Sequence, residues 1–231
     1  MMQHLKSAKS LVERFQNKSS MKYLNFYDKL NSLSDKEYIE MFLLYSISPV
    51  ISHLKPASTI TIKKKNDMLY NRWIKYGKDF IAEINLKFTE LRENNDVVVL
   101  MIYDSKSIEE CVSQYENNKF LTGLGYKNGS VEDYIDKLKV RYAKYHCPHE
   151  LGLFLGIPIK DVKDFIDCSD KKCLMCGYWK VYNDFELAQE MFEKYDKIKE
   201  HTMDSVLCGN TAMNITRSIR EYFYYPIKKV Q

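Results

Sequence analysis

Two groups of chemically capable side chains stand close together in this chain: His146-Cys147-Pro148-His149-Glu150 and Cys173-Leu174-Met175-Cys176-Gly177. Four of the 6 cysteines and two of the 5 histidines fall between Tyr145 and Tyr182, with Cys168 lying between the two groups. The two-residue spacing of Cys173 and Cys176 lets both sulfurs face one metal ion, and Gly177 relieves the crowding that follows such a turn. Zinc is the cofactor this spacing admits. It takes about four ligands, and His146, Cys147, His149 and Cys168 are the candidates to complete a set begun by Cys173 and Cys176. The same pair fits a redox dithiol, because Lys171 and Lys172 favour thiolate over thiol. A thioredoxin-like placement is disfavoured, since the pair precedes a strand-like segment, 178–182, and does not open a helix. A third reading makes these free cysteines that pack as small hydrophobes in a compact loop.

His149 and Glu150 have the composition of an acid-base pair, and Cys147 with His149 that of a nucleophile and its base. Catalytic Cys-His pairs are assembled in space from distant segments, so adjacency alone assigns no catalytic role. The competing reading has Pro148 opening a helix, with Cys147 near its cap and Glu150 at its positive end. Tyr178, Trp179, Lys180 and Tyr182 form an aromatic and basic ladder that a nucleic-acid base could stack on, yet alternate aromatics more commonly serve a core. Gly123, Gly125 and Gly129 lack the Lys-Ser or Lys-Thr of a phosphate loop. Lys63, Lys64 and Lys65 read as a solvated strand end.

The elements that position these groups follow from periodicity. Ser34 and Glu37 form a capping box for a helix to about Ile47, after which Pro49 and Pro56 bracket a loop. Residues 58–64 alternate, with Ile60 and Ile62 on one face and Thr59 and Thr61 on the other, as in a half-exposed strand. From Asp67 to Leu91 the apolar positions Leu69, Trp73, Tyr76, Phe80, Ile84, Phe88 and Leu91 recur at three and four, which predicts one long amphipathic helix. The continuous apolar run 97–103 predicts a strand buried on both faces, and its place after a strand and a helix predicts a parallel crossover. Ser107 and Glu110 predict a further capped helix burying Ile108, Cys111, Val112 and Tyr115. Ser130 predicts another, burying Tyr134, Ile135, Leu138 and Tyr142. Beyond Pro158, Val162, Phe165 and Ile166 point inward. Asp184 opens a helix burying Leu187, Met191, Phe192, Tyr195 and Ile198. Two short helices are expected in 1–33, and a last helical stretch carries Val206, Leu207, Ile215, Ile219 and Phe223 before Pro226. Cys208 reads as core beside Val206 and Leu207.

The chain has 231 residues, 45% of them hydrophobic and 29% charged, the balance of a globular protein with a substantial core. Thirty-five Lys and Arg against 31 Asp and Glu leave a net charge of +4, too little for a nucleic-acid footprint unless the fold clusters it. No apolar run reaches membrane-spanning length and 1–12 lacks a signal-peptide core, so a cytoplasmic protein with no membrane association is expected. Six dispersed cysteines do not make a disulfide scaffold.

The run Cys147-Pro148-His149-Glu150-Leu151-Gly152-Leu153-Phe154-Leu155-Gly156-Ile157-Pro158, then Asp161-Val162 and Phe165-Ile166, then Cys176-Gly177-Tyr178-Trp179-Lys180-Val181-Tyr182, resembles the DUF3793 family of uncharacterised proteins from anaerobic Gram-positive bacteria. Pro49 and Lys55-Pro56-Ala57-Ser58 are similar to the family as well. The resemblance implies one shared structural unit for the two motifs and carries no activity onto any residue. The sequence therefore reads as an α+β, mixed α/β protein: a small mixed sheet covered by long amphipathic helices, with a helical C-terminal section. One compact domain over 1–231 is expected, divisible into a sheet-containing part (1–129) and a mainly helical part (130–231) that carries the cysteine-rich knob. Its expected function is non-catalytic binding of a small molecule or protein, or regulation, around a structural cysteine segment. The alternative is a thiol-dependent redox protein or enzyme using Cys173 and Cys176. Nucleic acid is disfavoured as a partner, and no oligomeric state is specified.

Overall fold

A computed structural model describes residues 21–65, 68–167 and 170–223. The helices expected before residue 20, the start at Asp67, Cys168 and Pro226 fall outside them. The apolar run Val97–Tyr103 forms β3, the central strand of a three-stranded sheet, between β1 (Ala57–Lys63) and β2 (Lys87–Glu93). Both pairings are antiparallel, with Ile60 opposite Leu100 and Thr89 opposite Met101. The expected parallel pair therefore does not form. β1 and β2 run the same way and are joined through helix, but β3 returns by a tight turn and inserts between them. Asn94 builds that turn: its side-chain oxygen accepts from the backbone N–H of Asp96 at 2.9 Å and Val97 at 2.8 Å.

Alternation along β3 divides the protein into two cores, since successive strand side chains point to opposite faces. Val98, Leu100 and Ile102 face the first, with Ile60 and Ile62 of β1. That face is covered by α1 (21–31), α2 (Asp35–Ile51), α3 (Met68–Arg72), a π-helical turn (Trp73–Gly77) and α4 (Lys78–Glu83). The long α10 (Phe185–Leu207) and α11 (Ala212–Tyr222) complete it through Ile198, Val206, Ile215 and Ile219. Val99, Met101 and Tyr103 face the second core. There they meet α5 (Ser105–Val112), α6 (Tyr115–Gly123), α7 (Val131–Tyr145), α8 (Leu151–Phe154) and α9 (Ile159–Asp167). This is the mixed α/β fold with a helical C-terminal region that the sequence predicts. No helix among the described residues is long and apolar enough to cross a membrane.

Several local expectations are corrected. The helix predicted over 67–91 stops at Ile84, where Asn85 adopts φ 56°, and Phe88 and Leu91 lie on β2. Their three-residue spacing mimics a helix because β2 is covered on both faces: Phe88 packs against the first core and Leu91 sits in the second. Helix α2 runs through Pro49 to Ile51. Proline removes the donor that Tyr45 O would otherwise receive, and the Ser48 hydroxyl takes that carbonyl at 3.3 Å. Tyr115 is 74% exposed because it opens α6, an element its polar sequence conceals. Phe165, Ile166 and Leu187 are exposed as well, while Val162 and Phe192 are buried as expected. The capping box predicted at Ser34 forms, and Ser130 caps α7 as predicted, within a further capping box closed by Asp133.

Helix α5 is capped by Asp104 and not by Ser107. Asp104 accepts from the Ser107 backbone N–H at 2.8 Å and from its hydroxyl at 2.6 Å, with His53 Nδ1 at 3.4 Å. Burial pushes this carboxyl up, but the His53 and Ser107 hydrogen bonds outweigh it and hold the group at about 2, below its ordinary 3.8. A depressed carboxylate stabilises the fold above its unfolded value and loses that contribution as pH falls through its folded one. Asp104→Ala is therefore expected to cost about 1–2 kcal/mol at pH 7. Denaturant midpoints should show the variant and the native protein converging between pH 4 and pH 2, and a constant gap would refute the assignment.

Candidate functional site

The cysteine pair sits on a two-stranded hairpin of β4 (Met175–Cys176) and β5 (Lys180–Val181), with Cys176 opposite Lys180. The Leu174 N–H donates to Val181 O at 2.7 Å and the Gly177 N–H to Trp179 O at 3.1 Å, so the strand of the 178–182 segment is shorter than its alternation predicts. Gly177 lies against the Phe192 ring of α10, where a Cβ would clash. Trp179 meets the same ring edge-on at 4.5 Å, and Val181, Ala188 and Phe192 form a small separate core beneath the hairpin. Cys173 and Cys176 are exposed, with their sulfurs 3.4 Å apart. The hydrogen bond shared with Cys173 pushes the Cys176 thiol up, so Cys176 keeps its proton to higher pH than an isolated cysteine.

A single buried carboxylate fixes this hairpin. Asp161 on α9 is 2% exposed. It accepts from Trp179 Nε1 at 2.8 Å, from the backbone N–H of Tyr182 at 3.1 Å and of Asn183 at 2.9 Å, and from Asn183 Nδ2 at 3.0 Å. Asp164, one turn on, accepts from Asn183 at 2.7 Å and from Lys171. Thus Lys171 is tied to Asp164 and Asn183. The hairpin is clamped between α9 and the start of α10 by polar contacts that α9 alone does not announce.

The 146–150 segment separates its own candidates. His146 ends α7 with φ 63° and is exposed, as is Cys147. His149 faces outward and meets Phe165 edge-on at 5.2 Å, and the Lys180 ammonium lies over the same Phe165 ring at 5.7 Å. Glu150 turns inward to 3% exposure, where it pairs with Arg141 and accepts from the Tyr126 hydroxyl at 3.2 Å. His149 and Glu150 therefore point to opposite sides of one turn. Among the described residues no three His, Cys, Asp or Glu side chains converge as a metal site. Cys173 and Cys176 are the sequence-predicted ligands brought together, and Cys168 lies outside the described residues. Cys111 is core as expected: burial pushes its thiol up to about 11, and it donates to Leu153 O at 3.2 Å. Cys208 is exposed, at the polar end of α10, and not core.

A second cluster escaped the sequence reading. Lys55 precedes β1 with its ammonium over the Tyr195 ring at 5.6 Å, and Lys199 lies over Tyr178 at 4.9 Å and Tyr45 at 5.6 Å. Tyr178 and Tyr195 meet edge-on at 5.0 Å. The available signal was Lys199 standing four residues after Tyr195, inside the apolar stripe of α10.

A family model described as Protein of unknown function (DUF3793) matches residues 43–216, a span that encloses the sheet, the second core, most of the first, the hairpin and the Lys55–Lys199 cluster. No curated protein and no solved structure matches the chain. A match over well more than half of the sequence establishes the relationship: the chain belongs to the DUF3793 family.

Proposed function

We propose that this protein is a cytoplasmic binding or regulatory protein whose Cys173–Cys176 hairpin is a reversible thiol pair acting toward a small-molecule or protein partner. The observation that carries this reading is the 3.4 Å approach of two exposed sulfurs on an anchored hairpin. We assign the attack to Cys173, because the hydrogen bond shared by the two sulfurs raises the Cys176 thiol. Its thiolate attacks a low-molecular-weight disulfide, expels one thiol and forms a mixed disulfide. Cys176 then displaces the second thiol, two protons and two electrons having left the pair. Closing the bond draws the sulfurs to about 2.0 Å, a contraction imposed on a strand whose partner is held through Trp179, Tyr182 and Asn183.

The same separation favours one other reading. Sulfurs sharing a tetrahedral zinc stand about 3.7 Å apart, from Zn–S bonds of about 2.3 Å, close to the distance here. Such a site would draw its remaining ligands from Cys168 or from outside the chain. The test is metal content together with thiol reactivity, on protein purified anaerobically without a histidine tag. Metal-free protein with two fast thiols, oxidised by glutathione disulfide and stopping as a mixed disulfide in Cys176→Ser, is expected. About one zinc per chain, released on thiol modification, would overturn the redox reading in favour of a structural metal.

A further inference from the structure

We propose that Lys55 and Lys199, with the tyrosines around them, form a binding site for a doubly charged oxyanion of the phosphomonoester class. Two ammonium groups from distant parts of the chain are brought together here. Lys55 comes from the turn before β1 and Lys199 from the middle of α10, and both are partly withdrawn from solvent. Among the described residues neither forms an ion pair, although other lysines do, including Lys64 with Glu93 and Lys65 with Asp96.

The surroundings supply aromatic faces and hydroxyls in place of a contact ion pair. Lys55 lies over Tyr195, and Lys199 over Tyr178 and Tyr45. Asp196 on α10, whose charge acts on Lys199 without pairing with it, accepts from the Tyr178 hydroxyl at 2.6 Å. The Tyr45 hydroxyl shares a 2.6 Å hydrogen bond with that of Tyr23. Tyr195 spends its hydroxyl on Leu54 O at 3.5 Å, which pins the Lys55 turn to α10.

Cations over aromatic faces gain a modest attraction, but two half-buried cations that act on each other are mutually unfavourable. Lys55 carries the effect: burial first and the Lys199 charge second push it down to about 8, whereas Lys199 is lowered by burial against the pull of Asp196. A dianion between the two ammonium groups removes the repulsion and supplies the missing counter-charge. A single carboxylate would neutralise only one of them. Lysine meets a phosphate as a point charge, without the planar fork that arginine offers a carboxylate. Tyr178, which lies under Lys199, is 36% exposed, so the cluster is open to a small ligand.

The full chain is titrated with inorganic phosphate against chloride at matched ionic strength, while acylation of each lysine by a limiting amine-reactive ester is read by mass spectrometry. Lys55 is expected to be the fastest lysine to acylate near pH 8, to be protected by phosphate and not by chloride, and to lose that protection as pH rises above about 8. Lys199→Met should weaken phosphate protection of Lys55 at least tenfold, and Lys197→Met, an exposed neighbour on the same helix, should leave it unchanged. Lys55→Met should abolish the phosphate-dependent rise in thermal midpoint. Should that variant fail to fold, the Lys199→Met comparison still decides. Equal protection by chloride, or equal phosphate response in Lys199→Met and Lys197→Met, overturns the site. None of these readouts depends on Cys173 or Cys176, so failure here leaves the thiol reading standing.

Discussion

Replacing Arg141 by methionine is expected to destabilise the protein by about 3–5 kcal/mol, because removing one member of a buried ion pair strands the other. The stranded group is Glu150, 3% exposed, whose remaining described contact is the Tyr126 hydroxyl at 3.2 Å. Arg141 also closes the α6–α7 connection by donating to Leu124 O at 3.3 Å, so α6, α7 and the 146–150 turn all meet at this guanidinium. Burial pushes the Tyr126 phenol up, with the Glu150 charge adding to it, so the tyrosine stays a neutral donor and cannot replace the lost cation. The control is Arg141→Met combined with Glu150→Met. Two apolar side chains of similar volume remove the uncompensated charge, and the double variant should recover most of the loss. Urea unfolding of the native protein, both single variants and the double variant measures this directly. A double variant as unstable as the sum of the singles would show that the pair is not the organising contact of the turn.

This pair also shows why parts of the site were illegible in the sequence. Glu150 stands beside His149, and proximity offers an acid-base couple. Its partners lie 9 residues back at Arg141 and 24 back at Tyr126, and nothing in either segment marks them. Asp161 is harder still. On a short helix it looks like a solvated acid, and it is buried because the hairpin 18 to 22 residues later returns over it. Local signals were legible where local physics decides. The run Val97–Tyr103 had to be covered on both faces, and the serine caps before α2 and α7 satisfy backbone donors within their own first turn. The misreading of Phe88 and Leu91 has the same logic in reverse, since a strand covered on both faces carries apolar residues three apart, and the left-handed Asn85 is where the helix has ended. Lys55 and Lys199 are 144 positions apart by subtraction of their numbers, so only the docking of α10 on α2 brings them into one aromatic cluster.

Asp161→Ala is expected to have the second large effect, and to have it locally. Four hydrogen bonds end on this carboxylate, from Trp179, Tyr182 and Asn183. Hydrogen bonds to a charged acceptor contribute about 1.5–3 kcal/mol each, but the freed backbone donors regain water when the hairpin lifts, so a net loss of about 3 kcal/mol is expected for the hairpin. The Gly177 contact with Phe192, the small core of Val181 and Ala188 and the Tyr178 hydrogen bond to Asp196 tie the hairpin turn to α10, but none of them holds the 182–183 end that Asp161 anchors. The tryptophan emission of Trp179 should shift to the red. Backbone amides of Tyr182 and Asn183 should exchange at least tenfold faster, while amides of β3 are unchanged, because the two cores do not depend on the hairpin. Asp161→Asn should fall between, since an amide keeps one acceptor oxygen but turns an NH2 group toward other donors. The consequence for the thiols follows from geometry. An unanchored hairpin no longer holds Cys173 and Cys176 at 3.4 Å, so their effective concentration falls, and ring closure by glutathione disulfide should slow about tenfold with accumulation of the mixed disulfide. Loss of the Trp179 signal with an unaltered closure rate would mean that the 173–176 turn sets the sulfur separation by itself, and that Asp161 positions the strand without positioning the chemistry.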